Sequence, residues 1–190
     1  MRTTKASLLN LNQSPEDLNS VHGEDCYHYL RSPEFLSTFM SRIGRLVNQY
    51  GLPCLDVGCG EGYLYDFLDV PYAGFDGSEI AINKARQLRP RADIILGRIE
   101  SPPALGVFGT LVFGGLLGAL VEQSRHIDFC ELYRRHYQAQ YLIVYDLVSL
   151  DTKQLDGRYD RVSSFVGTAM LPTNDPKIIT HRKIECYELS

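Results

Sequence analysis

The chain has 190 residues, the size of one domain, and its 44% hydrophobic share suffices for a single core, which excludes a second full domain. Its 23 acidic and 19 basic residues give a net charge of -4 with no lysine or arginine run, so phosphate backbones are poor partners and no nucleic acid is expected. The N-terminus lacks the apolar stretch of a signal peptide and no window reaches the roughly 18 apolar residues that span a bilayer, so no membrane and a cytoplasmic location are expected.

In chain order, residues 1–14 are polar and aperiodic and read as a frayed arm. Ser14-Pro15-Glu16-Asp17 has the cap serine, first-turn proline and early acids of a helix start. A second start at Ser32-Pro33-Glu34 opens a stretch in which Phe35, Phe39, Ile43, Leu46 and Val47 recur at helical spacing until Gly51. Residues 1–50 are therefore expected to form a helical lid ahead of any strand.

From Pro53 short apolar runs alternate with helical stretches. Strands are expected at 54–57, 72–75, 92–96, 110–113 and 141–145, with helices near 62–68, 79–88 and 126–138. This alternation implies right-handed crossovers and a parallel sheet covered on both faces, with a core over 53–150. In 151–190, two extended segments at 161–169 and 182–189 flank the turn-rich Leu171-Pro-Thr-Asn-Asp-Pro176, the pattern of an antiparallel hairpin at a sheet edge.

The segment Cys54-Leu55-Asp56-Val57-Gly58-Cys59-Gly60-Glu61-Gly62 joins a strand to a glycine turn and a helix start. Such glycines admit a ligand close to the backbone, and a helix N-terminus offers N–H groups. Asp76 ends the next strand, in Tyr72-Ala-Gly-Phe-Asp-Gly-Ser78, where an acid can accept both hydroxyls of a ribose or cap the following helix. The spacing Gly58-x-Gly60-x-Gly62 differs from the dinucleotide pattern GxGxxG. The preceding Asp56 suits a positively charged amino-acid end better than a pyrophosphate, which favours S-adenosylmethionine over NAD.

Asp56-x-Gly-x-Gly-x-Gly62, followed by Gly74-Phe-Asp76-Gly77-Ser78 and Ile80, Ala81 and Ala85, resembles the class I S-adenosylmethionine-dependent methyltransferases, with the distinctive motifs confined to 54–86. The resemblance implies a Rossmann-like, mostly parallel α/β sheet and S-adenosyl-L-methionine as cofactor. It implies that Gly58, Gly60 and Gly62 lie along the methionine portion and that Asp76 binds the ribose; Asp56, Cys59 and Gly77 are further candidate cofactor-binding residues. Where the family often has an acid facing adenine this chain has Arg98, so backbone and apolar contact near Ile99 is expected to hold the base, and Arg98 reads equally as a solvated surface cation. The usual acid and Glu-His of the fourth-strand region are replaced by Gly109 and Gly118-Ala119, so no general base stands at its commonest position.

Lid residue Tyr27 is a candidate contact for the methionine end, and His28, His126 and Asp146 are the candidate catalytic residues, each with a surface, structural or capping role as its alternative. The five cysteines are scattered without a CxxC pair, so no metal is expected. The reading is methyl transfer to a small-molecule O, N or S nucleophile. Its alternatives are a non-catalytic nucleoside-cofactor-binding protein of the same fold and an NAD-dependent oxidoreductase.

Overall fold

The computed structural model describes residues 33–116, 126–147, 152–170 and 179–189. The expected arm, the Ser14 helix start, Tyr27, His28, Gly118-Ala119 and the loop 171–176 lie outside the described residues. A helical run, α1, is α-helical at Pro33–Phe35, π-helical over Leu36–Met40 and α-helical again over Ser41–Tyr50. It stops where the sequence says it should: Gly51 takes the left-handed conformation (φ 65°) and its N–H bonds back to the Asn48 carbonyl at 3.2 Å.

Among the described residues seven strands follow: β1 (Cys54–Val57), β2 (Tyr72–Asp76), β3 (Asp93–Leu96), β4 (Thr110–Gly114), β5 (Tyr141–Leu147), β6 (Asp160–Met170) and β7 (Ile179–Glu188). They form one sheet of order β3-β2-β1-β4-β5-β7-β6, parallel from β3 to β5 and antiparallel at β7 and β6. The mostly parallel α/β architecture and the terminal hairpin at the sheet edge are as the sequence predicts. Connecting helices are α2 (Glu79–Leu88), α3 (His126–Tyr137) and the short α4 (Lys153–Asp156). The segment expected as a helix near 62–68 is instead a 3-10 turn, Tyr63–Phe67.

Strand alternation sends side chains to two cores. Cys54, Val112, Ile143, Tyr145, Ile184 and Cys186 face α1, whose Phe35, Phe39, Ile43 and Val47 are almost wholly buried. Leu55, Val57, Phe75, Leu111, Phe113, Leu142 and Val144 face α3, through Phe129, Cys130, Tyr133 and Tyr137. Among the described residues no helix is long and apolar enough to cross a membrane.

Candidate functional site

The parallel strands place their carboxyl ends together, and the reversal of strand order between β1 and β4 opens a crevice there. At that point the chain leaves β1 through Gly58, Gly60 and Gly62, all with positive φ (73°, 54° and 75°), a backbone course that side chains other than glycine's adopt only under strain. The N–H groups of Gly58 and Cys59 donate to the Phe75 carbonyl at 2.9 and 3.0 Å, clipping the turn to the end of β2. The next residue along β2, Asp76, completes the joint. Its Oδ2 accepts from the Gly60 N–H at 3.0 Å and its Oδ1 from the Ser78 N–H at 2.8 Å. The cap of α2 is Ser78, whose Oγ accepts from the Ala81 N–H at 3.3 Å. The capping alternative for Asp76 thus passes to its neighbour, and the Asp76 carboxylate is oriented at the rim of the cleft by the glycine turn itself.

Asp56 lies beneath this turn. It is 6% exposed, and its Oδ2 accepts from the Tyr72 hydroxyl at 3.2 Å. That bond depends on Gly74, which pairs with Asp56 across the sheet: a Cβ there would come within 2.6 Å of the Tyr72 hydroxyl oxygen and 2.9 Å of the Cys59 Cβ. Burial raises the Asp56 carboxyl from its ordinary 3.8 to about 7; the Tyr72 hydrogen bond opposes the rise and the charge of Asp76 adds to it.

The crevice is a cleft of about 160 Å³. On one side it is lined by Asp56, Gly58, Cys59, Gly60, Glu61, Tyr63 and Asp76, and on the other by Phe35, Met40, Ile43, Val112, Gly114, Leu116, Tyr145 and Arg182. The second wall is the α1 side of the sheet, and the π-helical turn lets Met40 and Phe35 both reach it. The loop after β4 closes over the glycine turn, since a Cβ on Gly58 would meet Leu116 Cδ2 at 3.3 Å.

Of the residues singled out in the sequence, Asp56, Gly58, Cys59, Gly60 and Asp76 converge on this cleft. Gly62 is not part of its lining; a Cβ there would strike Ile94 Cδ1 at 2.8 Å, so its glycine serves packing beneath the turn. Gly77 follows Asp76 but is likewise outside the lining. Ile99 packs against the α3 side of the core and its carbonyl accepts from the Tyr133 hydroxyl at 2.9 Å. Arg98 is exposed and pairs with Glu100 at 3.4 Å, the solvated reading. His126 is buried at the start of α3 and does not line the cleft.

Asp146, expected to face the pocket, pairs with Lys183 in the β5–β7 register, one residue past Tyr145 and therefore on the opposite face of the sheet. Tyr145 and Arg182 take the cleft face instead. Arg182 was not singled out, although its signal is present: Arg182, Ile184 and Cys186 alternate along β7, and the last two belong to the α1-side core. Glu61 and Tyr63 were also missed. They are joined by a 2.8 Å bond from the Tyr63 hydroxyl to Glu61 Oε2. Among the described residues no group of His, Cys, Asp and Glu could hold a metal ion.

No protein-family model matches the sequence, and no curated protein sequence does. Solved structures do. The N-methyltransferase NodS from Bradyrhizobium japonicum WM9 matches with a TM-score of 0.64 at 13% identity, covering 84% of this chain and 99% of that one. A TehB-like SAM-dependent methyltransferase from Corynebacterium glutamicum gives 0.62 at 17% identity, over 90% and 100%. The plantazolicin methyltransferase BpumL, in complex with a monoazolic desmethylPZN analog and SAH, gives 0.54 at 16% identity, over 92% and 89%. The likeness is one of fold.

Proposed function

We propose that this chain, whose fold is that of the class I S-adenosylmethionine-dependent methyltransferases, transfers a methyl group from that cofactor to a small-molecule nucleophile. The observation that carries the reading is the convergence of Asp56 and Asp76, from adjacent parallel strands, on one glycine-lined cleft. The residues present fit the cofactor: Gly58 and Gly60 keep side chains out of the cradle, Asp76 is held in place to accept ribose hydroxyls, and Asp56 offers a buried carboxyl to a cationic amino-acid end. Three solved structures of the same fold are described as methyltransferases, one of them containing SAH.

When bound, S-adenosylmethionine supplies a sulfonium-activated methyl group. The chain's own task is then positioning. The glycine turn and Leu116 enclose one side, and Phe35, Ile43 and Tyr145 form an apolar wall that excludes water from the acceptor half. Among the described residues lining that half there is no carboxylate and no histidine; His28, outside the described residues, stays the candidate base, and an amine, thiol or acidic hydroxyl acceptor would arrive already nucleophilic.

The test is thermal unfolding with S-adenosylmethionine, S-adenosylhomocysteine or NAD in excess. At about 100 times the dissociation constant a ligand adds roughly 2.7 kcal/mol, which raises the midpoint of a chain this size by about 5–10 °C. Stabilisation by both sulfur ligands, lost in Asp76→Ala, is the expected result. A shift with NAD alone would assign the cleft to an oxidoreductase. Binding of the sulfur ligands without methyl transfer to any of a broad acceptor panel would point to the non-catalytic alternative.

A further inference from the structure

The cleft is electrically lopsided. Asp56, Asp76 and Glu61 stand at its β1–β2 end, while Arg182 stands on β7. In the strand order four spacings separate β2 from β7, roughly 19 Å at the usual inter-strand distance. Arg182 therefore faces the half of the cleft away from the acids. It is 7% exposed, and its guanidinium carbon lies 5.4 Å from the centroid of the Tyr145 ring. Tyr145 in turn meets Phe35 edge-on at 5.6 Å, so the cation is set into an aromatic wall.

We infer that the acceptor half of the cleft is built for a small organic acid with an apolar body, whose carboxylate pairs with the Arg182 guanidinium. This assignment rests on the methyltransferase reading and names the acceptor class for it. A guanidinium presents a planar fork of donors that a carboxylate matches in two parallel bonds, and a shielded, apolar surround strengthens such a pair. The Arg182 charge repels a cationic acceptor, and among the described residues lining this half none is acidic to offset it. Phe35, Ile43 and Tyr145 supply contact for a hydrocarbon or aromatic body. The acids at the other end are suited to the positive charges of the cofactor, so each half of the cleft attracts its own ligand and discourages the other. The competing source of a carboxylate for Arg182 is the cofactor's own methionine end.

The two are separated by titrating protein saturated with S-adenosylhomocysteine with benzoate and, separately, with its neutral isostere benzamide. The expected result is that benzoate binds at least about tenfold more tightly than benzamide, that Arg182→Met abolishes the preference, and that Arg182→Lys, keeping the charge but not the fork, retains part of it. Affinity for S-adenosylhomocysteine should stay within about twofold of wild type in both variants, which also shows that they fold. Equal binding of benzoate and benzamide to the wild type would overturn the inference. So would a drop of about tenfold or more in S-adenosylhomocysteine affinity in Arg182→Met, which would give Arg182 to the cofactor's carboxylate. Failure of S-adenosylhomocysteine to bind the wild-type chain would remove the cofactor reading first, and the acceptor assignment with it.

Discussion

The Asp56 carboxyl, raised to about 7 by burial with only the Tyr72 bond and the Asp76 charge modulating it, couples the site to pH in two opposite ways. Its folded value lies above its unfolded one, so the stability it contributes is fully present at low pH and is lost as pH rises through about 7. Binding of a cationic ligand favours the ionised form, so affinity for S-adenosylmethionine should rise by up to tenfold per pH unit towards about pH 7 and then level off. Titrations between pH 5.5 and about 7 stay largely below the range where the ligand's own amino group titrates, near 8. Asp56→Asn should flatten both slopes, and an affinity that stays pH-independent in the wild type would remove Asp56 from the ligand. The sequence exposed this residue because a strand-end acid before a glycine turn is a local pattern. Arg182 escaped because its importance depends on which face of β7 it occupies, and that is set by a register with β5, whose Leu147 lies 35 positions earlier in the chain. Asp146 was misplaced for the same reason: a one-residue step along a strand reverses the face.

At the level of elements, the turn after β1 depends on a brace from the end of α2. Arg89 is 7% exposed; its Nε donates to Asp66 Oδ1 at 3.0 Å, a second nitrogen reaches Asp66 Oδ2, and a third donates to the Glu61 carbonyl at 2.8 Å. Its guanidinium also covers the Tyr63 ring at 4.5 Å. This tie between residues 23 apart is invisible to local periodicity, and it accompanies the replacement of an expected helix by the 3-10 turn Tyr63–Phe67. Arg89→Ala should cost about 2–3 kcal/mol, discounted because Asp66 is half exposed, and should weaken S-adenosylhomocysteine binding through Glu61 and Tyr63. Arg89→Lys should restore little of either; if urea midpoints and affinity both match the wild type, the brace is ornamental.

The hairpin carries a second tie on the face away from the cleft. Glu185, 3% exposed, pairs with Lys183 at 2.9 Å and Arg161 at 2.8 Å, while Lys183 also donates to Thr152 Oγ1 at 2.8 Å. Burial pushes the Glu185 carboxyl up, but the bonds from Lys183 and Thr152 and the nearby positive charges outweigh it and hold the group below its ordinary 4.5. Its contribution is accordingly present above that value and lost as pH falls through the lowered folded value. Glu185→Gln leaves Lys183 buried beside a neutral group and should cost about 3–5 kcal/mol at neutral pH. Denaturant midpoints at pH 7 and pH 3.5 check the sign: the gap between variant and wild type must narrow in acid, where the unfolded chain takes up the proton that the folded ion pair excludes.

For the whole molecule, the alternation of strand side chains makes one sheet serve two cores, and neither can be dismantled alone. Loss of α1 would expose Ile143, Tyr145 and Ile184, while loss of α3 would expose Leu142 and Val144 on the same strand β5 and its neighbours. Because β5 joins the parallel strands to the hairpin, disorder on either face removes the partner strands of the other. Cooperative unfolding of the two faces as one unit follows, with equal calorimetric and van't Hoff enthalpies. Phe39→Ala on the α1 face and Phe129→Ala on the α3 face remove fully or nearly fully buried rings and should each cost about 3–5 kcal/mol. At roughly 2–4 °C per kcal/mol, both variants should lower the same single midpoint. Two separated transitions in either variant would mean that the α1 face and the α3 face are independent units, and that the cleft between α1 and the sheet could open without unfolding the rest.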